Sequence, residues 1–232
     1  MGTGSAPVYL VRGVSDALAS YGSDVALARR QHAAYREALG ETVALPEDPQ
    51  LGDCCFVEDT AVVEGDRALI TYMGAPARRP ECVAVAGFLA EQGLSITRMA
   101  PPATLDGGDV LRVGARVFVG LSARTNRAGV RALEEFLGRP CTPVPVARCL
   151  HLKTACTALD GETVLLNPAW VDRALFAGLA VLEADDSNVL VAGGVCLAAS
   201  PATAARVPGA RLLDISEFQK ADGGLTCLSL RL

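Results

Sequence analysis

The chain has 232 residues, of which 50% are hydrophobic and 20% charged, and its formal net charge is −5. This composition supplies ample apolar surface for a buried core, which excludes a disordered chain. The acidic balance gives no basic surface of the kind that binds nucleic acid, and no apolar run reaches the roughly 18 residues of a membrane-spanning helix.

The N-terminal segment "MGTGSAPVYLVRGVSD" has no positively charged region and only a short apolar run. We therefore expect neither a signal peptide nor a membrane anchor, and a cytoplasmic protein. Within it, Pro7 to Gly13 has the pattern of a strand without a neighbouring partner. The segment from Asp24 to Gly40 is predicted to be a helix, because an N-capping aspartate and a closing glycine bracket residues with helical apolar spacing.

Five later stretches share one pattern, in which polar or glycine residues precede a short apolar strand, and a tight turn leads to a second strand. They are "DCCFVEDTAVVEGDRALITY" from Asp53, "LDGGDVLRVGARVFVGL" from Leu105, "HLKTACTALDGETVLLN" from His151, "EADDSNVLVAGGVCLAAS" from Glu183 and "DGGLTCLSLRL" from Asp222. The first four contain predicted two-residue turns at Gly65-Asp66, Gly114-Ala115, Asp160-Gly161 and Gly193-Gly194. Such turns join antiparallel strands, because glycine adopts the positive φ that they require.

Helical segments are predicted between these copies at residues 79–93, 125–138 and 167–179. The order strand, strand, helix, strand therefore repeats about five times, as in a repeat architecture. The fifth copy ends after one strand, and the N-terminal strand would complete it by closing a ring, as propellers do. No linker interrupts the chain, so we predict a single α/β domain over residues 1–232.

The candidate chemical groups are the polar residues that precede the first strands. They include a cysteine, a histidine and several carboxylates, which are the components of a nucleophile with its base: Asp53, Glu58, Asp59, Asp106, Asp109, His151, Asp185, Asp186, Asp222 and Cys227. The eight cysteines show no C-x-x-C pair or zinc spacing, so most are expected to be small buried hydrophobic residues. The other histidine, His32, is interpreted as a solvated residue in the middle of a helix.

Five motifs occur in an order that resembles the dimethylarginine dimethylaminohydrolases, which belong to the pentein superfamily of guanidine-modifying enzymes. They are "DCCFVEDTAVV", "LDGGDVL", "VGLSARTNRAG", "HLKTACTAL" and "DGGLTCLSL". The resemblance covers nearly the whole chain, from "YLVRGVSDAL" to Cys227. It implies a five-bladed, pseudo-symmetric α/β propeller of ββαβ modules, the architecture that the repeats indicate independently.

The resemblance also implies a role for individual residues. Cys227 would be the nucleophile, His151 the general acid and base, and Asp106 the carboxylate that partners the histidine. Glu58 and Asp59 would bind the substrate guanidinium, and Arg78 and Arg124 its amino-acid end. Three more positions match substrate contacts: Asp53, Val14 and the backbone of Ala221.

The implied reaction converts asymmetric dimethylarginine or monomethylarginine to citrulline and dimethylamine or methylamine through a thiouronium on Cys227. The reaction requires neither a metal nor an organic cofactor. The expected binding partner is the methylated arginine substrate, and no nucleic acid or membrane is expected to bind. The chain is expected to be a monomer or a homodimer. Two alternatives remain at this point. One is another guanidino- or ureido-group hydrolase of this fold, such as an arginine deiminase-like enzyme, and the other is a non-catalytic propeller that binds arginine derivatives.

Two departures from the family pattern bear on the substrate. Leu228 follows Cys227, so the second adjacent thiol of some members is absent. Val14 stands where a longer leucine would be expected from the animal branch, so the sequence does not define the lid over the substrate. The choice among methylated arginines therefore does not follow from the sequence.

Overall fold

The structure is a computed structural model that describes residues 8–232, so Pro7 of the predicted N-terminal strand lies outside the described residues. The strands are β1 (Tyr9–Arg12), β2 (Thr42–Leu45), β3 (Ala61–Glu64), β4 (Arg67–Ile70), β5 (Ser95–Arg98), β6 (Val110–Val113), β7 (Arg116–Leu121), β8 (Thr142–Pro145), β9 (Cys156–Ala158), β10 (Thr163–Leu166), β11 (Ala180–Glu183), β12 (Val189–Ala192), β13 (Val195–Ala198), β14 (Ala210–Leu212) and β15 (Leu230–Arg231). The helices are α1 (Val25–Leu39), α2 (Glu81–Glu91), α3 (Arg127–Leu137), α4 (Leu152–Ala155), α5 (Pro201–Arg206) and α6 (Ser216–Gln219).

These strands form five three-stranded sheets, the blades of the propeller, with strand orders β3-β4-β5, β6-β7-β8, β9-β10-β11, β12-β13-β14 and β15-β1-β2. In each blade the middle strand pairs antiparallel with the inner strand and parallel with the outer one. A parallel pair needs a crossover connection, and α1, α2, α3 and α5 lie in four of these connections. The predicted ββαβ propeller is confirmed, whereas the single domain over residues 1–232 stays a prediction.

Ring closure occurs at the predicted place. Inner strand β15 pairs with β1, with Tyr9 opposite Arg231 and Leu10 opposite Leu230. The inner strands of all five blades wall a cavity of about 610 Å³, which we call the channel. The chain ends are thus joined by backbone hydrogen bonds, and the residues that precede the inner strands meet around one centre.

The sequence predicted the bounds of α1 and three of the four turns between paired strands, but it predicted the fourth turn too short. Helix α1 begins after Asp24, whose side chain accepts a hydrogen bond from the Leu27 N–H, and it ends before Gly40. Two-residue turns link the antiparallel pairs at residues 65–66, 114–115 and 193–194, and their first glycines have positive φ. The predicted turn at residues 160–161 is wider, because strands β9 and β10 are joined by the four residues 159–162.

The predicted helix at residues 167–179 is wrong. Only Arg173–Phe176 is helical there, as a single 3₁₀ turn. Asn167 accepts a hydrogen bond from the Ala169 N–H and Asp172 accepts one from the Ala174 N–H. Each polar side chain begins its own short turn, and such local bonds compete with a continuous helix.

The interpretation of His32 as a solvated residue is also wrong. Its side chain is buried between the rings of Tyr35 and Phe218, whose centroids lie 6.4 and 6.2 Å away. Burial lowers the pKa of His32 to about 4, so the ring is neutral and packs as an aromatic group of the core. Across residues 8–232, none of the helices has the length and apolarity to cross a membrane.

Candidate active site

A second cavity, of about 110 Å³, lies among the loops that precede inner strands β3, β9 and β15, and we call it the front cavity. Seven of the ten predicted site residues line it: Asp53, Asp59, Arg78, Arg124, His151, Ala221 and Cys227. The structure thus gathers predicted residues from both ends and the middle of the chain. Asp106, Glu58 and Val14 are not among its lining residues.

His151 is the residue immediately before α4, and its ring is almost fully buried. Its Nε2 lies 3.1 Å from Asp106 Oδ2, and its Nδ1 lies 3.9 Å from Asp59 Oδ1. Burial alone would lower the pKa of His151, but the charges of Asp59 and Asp109 and the hydrogen bond with Asp106 outweigh it and raise the pKa to about 9. The ring is therefore an imidazolium at neutral pH, and it can give up a proton at Nδ1.

Asp106 lies behind the histidine ring, outside the front cavity and away from solvent. Its Oδ1 accepts a hydrogen bond from the Gly74 N–H at 2.9 Å, while Oδ2 faces His151. The adjacent Gly-Gly pair permits this packing, because a Cβ on Gly108 would lie only 2.6 Å from His151 Nδ1 and 2.8 Å from Asp59 Oδ1. Any side chain at Gly108 would displace the ring or the carboxylate.

Asp59 is buried and its two oxygens have different partners. Oδ1 accepts a hydrogen bond from the Gly108 N–H at 2.8 Å, and Oδ2 accepts one from Arg78 Nη1 at 2.7 Å. Burial raises the pKa of Asp59, but His151, Arg78 and Gly108 together lower it to about 2. Arg78 also donates to both oxygens of Glu81, at 3.0 and 2.8 Å, in a fork geometry. Most of its donors are thus occupied inside the protein.

Glu58 precedes Asp59 in the chain and lines the channel, not the front cavity. Its Oε1 forms an ion pair with Lys153 Nζ, whereas Oε2 is buried and has no hydrogen-bond partner among residues 8–232. Burial raises the pKa of Glu58 to about 7 although the charge of Lys153 opposes the shift. A second cation placed next to Oε2 would satisfy this atom and favour the carboxylate.

Cys227 lies in a 3₁₀ turn, Thr226–Leu228, that precedes β15. Its Sγ accepts a hydrogen bond from the Gly224 N–H at 3.4 Å. Burial and the charges of Glu58 and Asp59 raise the pKa of Cys227 to about 12, although Gly224 and Lys153 oppose the shift. The free protein therefore holds a neutral thiol there, and added positive charge is needed to favour the thiolate.

Asn188 fixes the turn that carries Cys227. Its Oδ1 accepts a hydrogen bond from the Leu225 N–H at 2.6 Å, and its Nδ2 donates to Thr226 Oγ1 at 3.1 Å and to the Lys153 carbonyl at 3.0 Å. A Cβ on Gly224 would lie 2.6 Å from Asn188 Oδ1. The glycine therefore permits the close approach that links the turn to the segment of His151 and Lys153.

Arg124 and Asp53 stand at the other side of the front cavity. Arg124 Nη1 is buried without a partner in residues 8–232, so it can donate to a ligand. Asp53 Oδ2 accepts a hydrogen bond from the Tyr21 hydroxyl at 3.0 Å and lies 3.6 Å from Arg78 Nε. This side thus presents one free guanidinium edge and one carboxylate.

The two remaining predicted positions differ. Ala221 lines the front cavity together with Asp222, a non-glycine residue with a φ of 57°. Val14 packs in the apolar core instead, and its carbonyl accepts a hydrogen bond from Arg29 Nη2 at 3.1 Å. The structure therefore places Ala221 beside Cys227 but leaves the side chain of Val14 outside the cavity.

Asp59, Asp106 and His151 each offer one ligand atom, and these atoms lie within 4.8 Å of one another. Three such groups can in principle approach a cation. Asp59 and Asp106 also accept hydrogen bonds from protein N–H groups, and the raised pKa of His151 favours the imidazolium, which is not a metal ligand. The local charges therefore favour a proton on the ring.

Sequence reasoning missed several residues of this region. Lys153 stands inside the quoted motif "HLKTAC" and is one of two lysines in the chain, which is a signal that the sequence offered. Glu81, three residues after Arg78, has the spacing of a helical ion pair. Asn188 and Tyr21 gave no comparable signal, because their partners are distant in sequence.

Comparison with known proteins places the chain in a family. A family model described as arginine deiminase matches residues 29–198, which include Glu58, Asp59, Asp106 and His151 but not Cys227. A dimethylarginine dimethylaminohydrolase of Streptomyces coelicolor is 42% identical over 225 aligned residues, covering 90% of this chain and 87% of that protein. The protein of the same name from Pseudomonas aeruginosa is 31% identical and covers 90% of this chain and 89% of its own length.

A solved structure of dimethylarginine dimethylaminohydrolase from Pseudomonas aeruginosa, a cysteine-to-serine variant complexed with citrulline, matches the fold with a TM-score of 0.91. Its sequence is 27% identical, and the match covers 98% of this chain and 99% of that one. The likeness therefore extends over nearly the whole chain.

Proposed function

The chain belongs to the dimethylarginine dimethylaminohydrolase family, and from this premise we propose that it hydrolyses Nω-methylated arginines to citrulline and an alkylamine through a covalent intermediate on Cys227. The observation that carries the proposal is the front cavity, in which a half-buried thiol and an imidazolium lie beside carboxylates that suit a guanidinium. Its substrate is a small molecule.

Substrate binding uses two atoms that have no partner within residues 8–232, Glu58 Oε2 and Arg124 Nη1, together with the carboxylates of Asp59 and Asp53. The guanidinium donates to Asp59 and to Glu58 Oε2. The α-carboxylate accepts from Arg124 Nη1, and Asp53 lies near the α-ammonium group. Arg78 acts by holding Asp59 in place through their 2.7 Å contact. These contacts fix the guanidinium carbon over Cys227, which turns the attack into a problem of orientation.

The charge of the substrate favours the reactive form of the nucleophile. Burial and two carboxylates raise the pKa of Cys227 to about 12 in the free protein. A bound guanidinium neutralises part of that negative charge, so the thiolate becomes more accessible only when a substrate is present. Lys153 stabilises the ionised form of Glu58, which keeps the partner of the guanidinium available.

Thiolate attack gives a tetrahedral adduct, which must expel an amine. His151 donates its proton to the amine nitrogen, the C–N bond breaks, and its electron pair remains with nitrogen. Asp106 holds the ring through Nε2 and stabilises its charged form. The neutral histidine then takes a proton from water, the resulting hydroxide attacks the thiouronium carbon, and the C–S bond breaks to release citrulline.

The test is incubation of the purified protein with asymmetric dimethylarginine, with citrulline and dimethylamine measured separately. We expect both products in a one-to-one ratio. Parallel incubations with monomethylarginine and arginine distinguish the alternative. Turnover of arginine without release of dimethylamine would overturn the proposal in favour of an arginine deiminase-like activity, and binding without turnover of any of the three would indicate a binding propeller.

The same proposal includes the surroundings of the enzyme. We expect a cytoplasmic protein that acts as a monomer or homodimer, without a nucleic-acid or membrane partner. Fractionation of the native cells and light scattering of the purified chain measure these properties independently of activity.

A further inference from the structure

Residues that line the channel are close sequence neighbours of residues in the candidate site. Four residues of the site region have a near neighbour in sequence that lines the channel. The site residues are Asp59, Asp106, His151 and Cys227. Their neighbours, in the same order, are Glu58, Gly107, Lys153 and Thr226, and all four neighbours line the channel. Three of the neighbours are adjacent in sequence to their site residue, and Lys153 lies two residues after His151. The reacting groups are therefore reached from one side by the front cavity and approached from the other side by a space of about 610 Å³.

The front cavity shares Tyr21, Asp53 and Arg78 with an outer cavity of about 420 Å³. The front cavity itself, next to Cys227 and His151, has a volume of only about 110 Å³. The covalent intermediate keeps the amino-acid part of the substrate in this cavity while the amine leaves and water enters. Two small molecules must therefore be exchanged while the front path is filled.

The ion pair of Glu58 and Lys153 closes the inner end of the channel. Each side chain is 14% exposed although neither lines the front cavity, so solvent reaches them through the channel. Within residues 8–232, Lys153 Nζ has one hydrogen-bond acceptor, Glu58 Oε1. Movement of a long, flexible side chain is enough to open this contact, whereas the backbone around it is fixed by Asn188.

We propose that the channel is the exchange route of the reaction, through which the alkylamine leaves and water enters while the intermediate fills the front cavity. The idea rests on the proposed function. After His151 has protonated the amine nitrogen and the C–N bond has broken, dimethylamine departs as a neutral molecule. Apolar side chains of the inner strands, such as Val62, Val110 and Val189, line its path. Water returns along this route and loses its proton to His151.

The first test fills the channel at a distance from the reacting groups. Val191 and Ala158 line the channel on different blades and belong to none of the contacts that hold the substrate. Val191→Trp and Ala158→Trp are compared with Val83→Trp, a matched change at a residue that is 71% exposed on α2 and does not line the channel. Citrulline binding, measured by calorimetry, reports whether the front cavity is intact in each variant.

We expect the two channel variants to lose about tenfold in kcat for asymmetric dimethylarginine, less for monomethylarginine, and to leave KM and citrulline affinity near wild type, because release of the larger amine limits the rate. Val83→Trp should match the wild type with both substrates. Channel variants that bind citrulline and keep the wild-type ratio of the two kcat values overturn the proposal.

A second measurement adds dimethylamine to the wild type and to Val191→Trp. The amine should lower kcat of the wild type at saturating substrate because it returns to the intermediate, and Val191→Trp should weaken this inhibition because the return path is the channel. Equal inhibition of the two proteins would mean that the amine uses another path, and the proposal would then be wrong. An inactive wild type would instead refute the proposed function, so the two failures are distinguishable.

Discussion

The two halves of the candidate site are held in different ways. We call Asp59, Asp106 and His151 the histidine cluster, and Glu58, Lys153 and Cys227 the thiol cluster. In the histidine cluster the side chains are 3% exposed or less and the pKa shifts favour charge, to about 9 for His151 and about 2 for Asp59. In the thiol cluster Glu58 Oε2 has no partner in the described part of the chain, and the pKa values of Glu58 and Cys227 rise to about 7 and about 12.

This difference indicates a division of labour. The histidine cluster is preorganised, since its charges are paired and both carboxylates and His151 Nε2 are hydrogen-bonded before a ligand binds. The thiol cluster is incomplete, and a bound cation would supply what it lacks. Substitutions in the histidine cluster should therefore change the rate of the chemical step. Substitutions in the thiol cluster should change how strongly a bound ligand alters the ionisation of Glu58 and Cys227.

The largest effect is expected for Cys227→Ser, which removes the nucleophile but keeps the shape of the turn. A serine hydroxyl is far less acidic than a thiol, so kcat should fall by at least about 10³-fold. Citrulline affinity and the thermal unfolding midpoint should stay near wild type. Cys196→Ser, at a half-buried cysteine on β13, is the matched control and should remain active. Substantial activity in Cys227→Ser would exclude the covalent mechanism.

His151→Ala should have the next largest effect and break the histidine cluster. Loss of the proton donor should lower kcat by about 10²- to 10⁴-fold, the usual contribution of general acid–base catalysis. KM should change little, because the carboxylates that hold the guanidinium remain. Steady-state kinetics separates the two parameters. A raised KM with an unchanged kcat would assign His151 to binding alone.

A third prediction concerns Glu58→Gln and the ionisation of the thiol cluster. The negative charge of Glu58 raises the pKa of Cys227, so its removal should lower that pKa and increase the thiolate fraction at pH 7 to 9. Alkylation of Cys227 by iodoacetamide should become about tenfold faster per unit by which the pKa falls. The pH profile of the alkylation rate, with the labelled residue identified by mass spectrometry, measures this shift.

The same variant should bind substrate less well. A hydrogen bond to a charged group contributes about 1.5–3 kcal/mol, so KM should rise by roughly 10- to 150-fold. Faster alkylation together with weaker substrate binding is the signature of a carboxylate that suppresses the thiol until the guanidinium arrives. An alkylation profile that stays unchanged would disprove the electrostatic coupling between Glu58 and Cys227.

The sequence predicted most of the fold because its signals are local. Glycine turns, the caps of α1 and the repeated strand pairs each involve neighbouring residues, and the single unpaired strand at either end indicated ring closure. Short elements were missed. Helices α5 and α6 have six and four residues, too few for a helical period, and the caps at Asn167 and Asp172 interrupt a stretch with helical spacing.

The sequence predicted those site residues that lie inside recognisable motifs. It did not predict contacts across the ring, because the partners are far apart in sequence: Lys153 and Glu58 are separated by 95 residues, and Asn188 and Leu225 by 37. The front cavity brings Cys227 and His151 together, but their protonation states depend on burial, which no single motif reports. The same limit explains the error at His32, whose helix face was assigned to solvent and packs against Phe218 instead.

The smallest expected effect tests the rim of the front cavity. Tyr21 is 44% exposed and donates to Asp53 at 3.0 Å, so Tyr21→Phe removes one hydrogen bond worth about 0.5–1.5 kcal/mol from a carboxylate near the substrate. KM should therefore rise about two- to tenfold. Neither cluster contacts this hydroxyl, so kcat should not change. Tyr72→Phe is the matched control, because the Tyr72 hydroxyl pairs with Arg79 and does not line the cavity. A fall in kcat without a change in KM would place Tyr21 in the chemical step. It would contradict the distinction between a preorganised histidine cluster that performs the chemistry and a rim that contributes only to substrate binding.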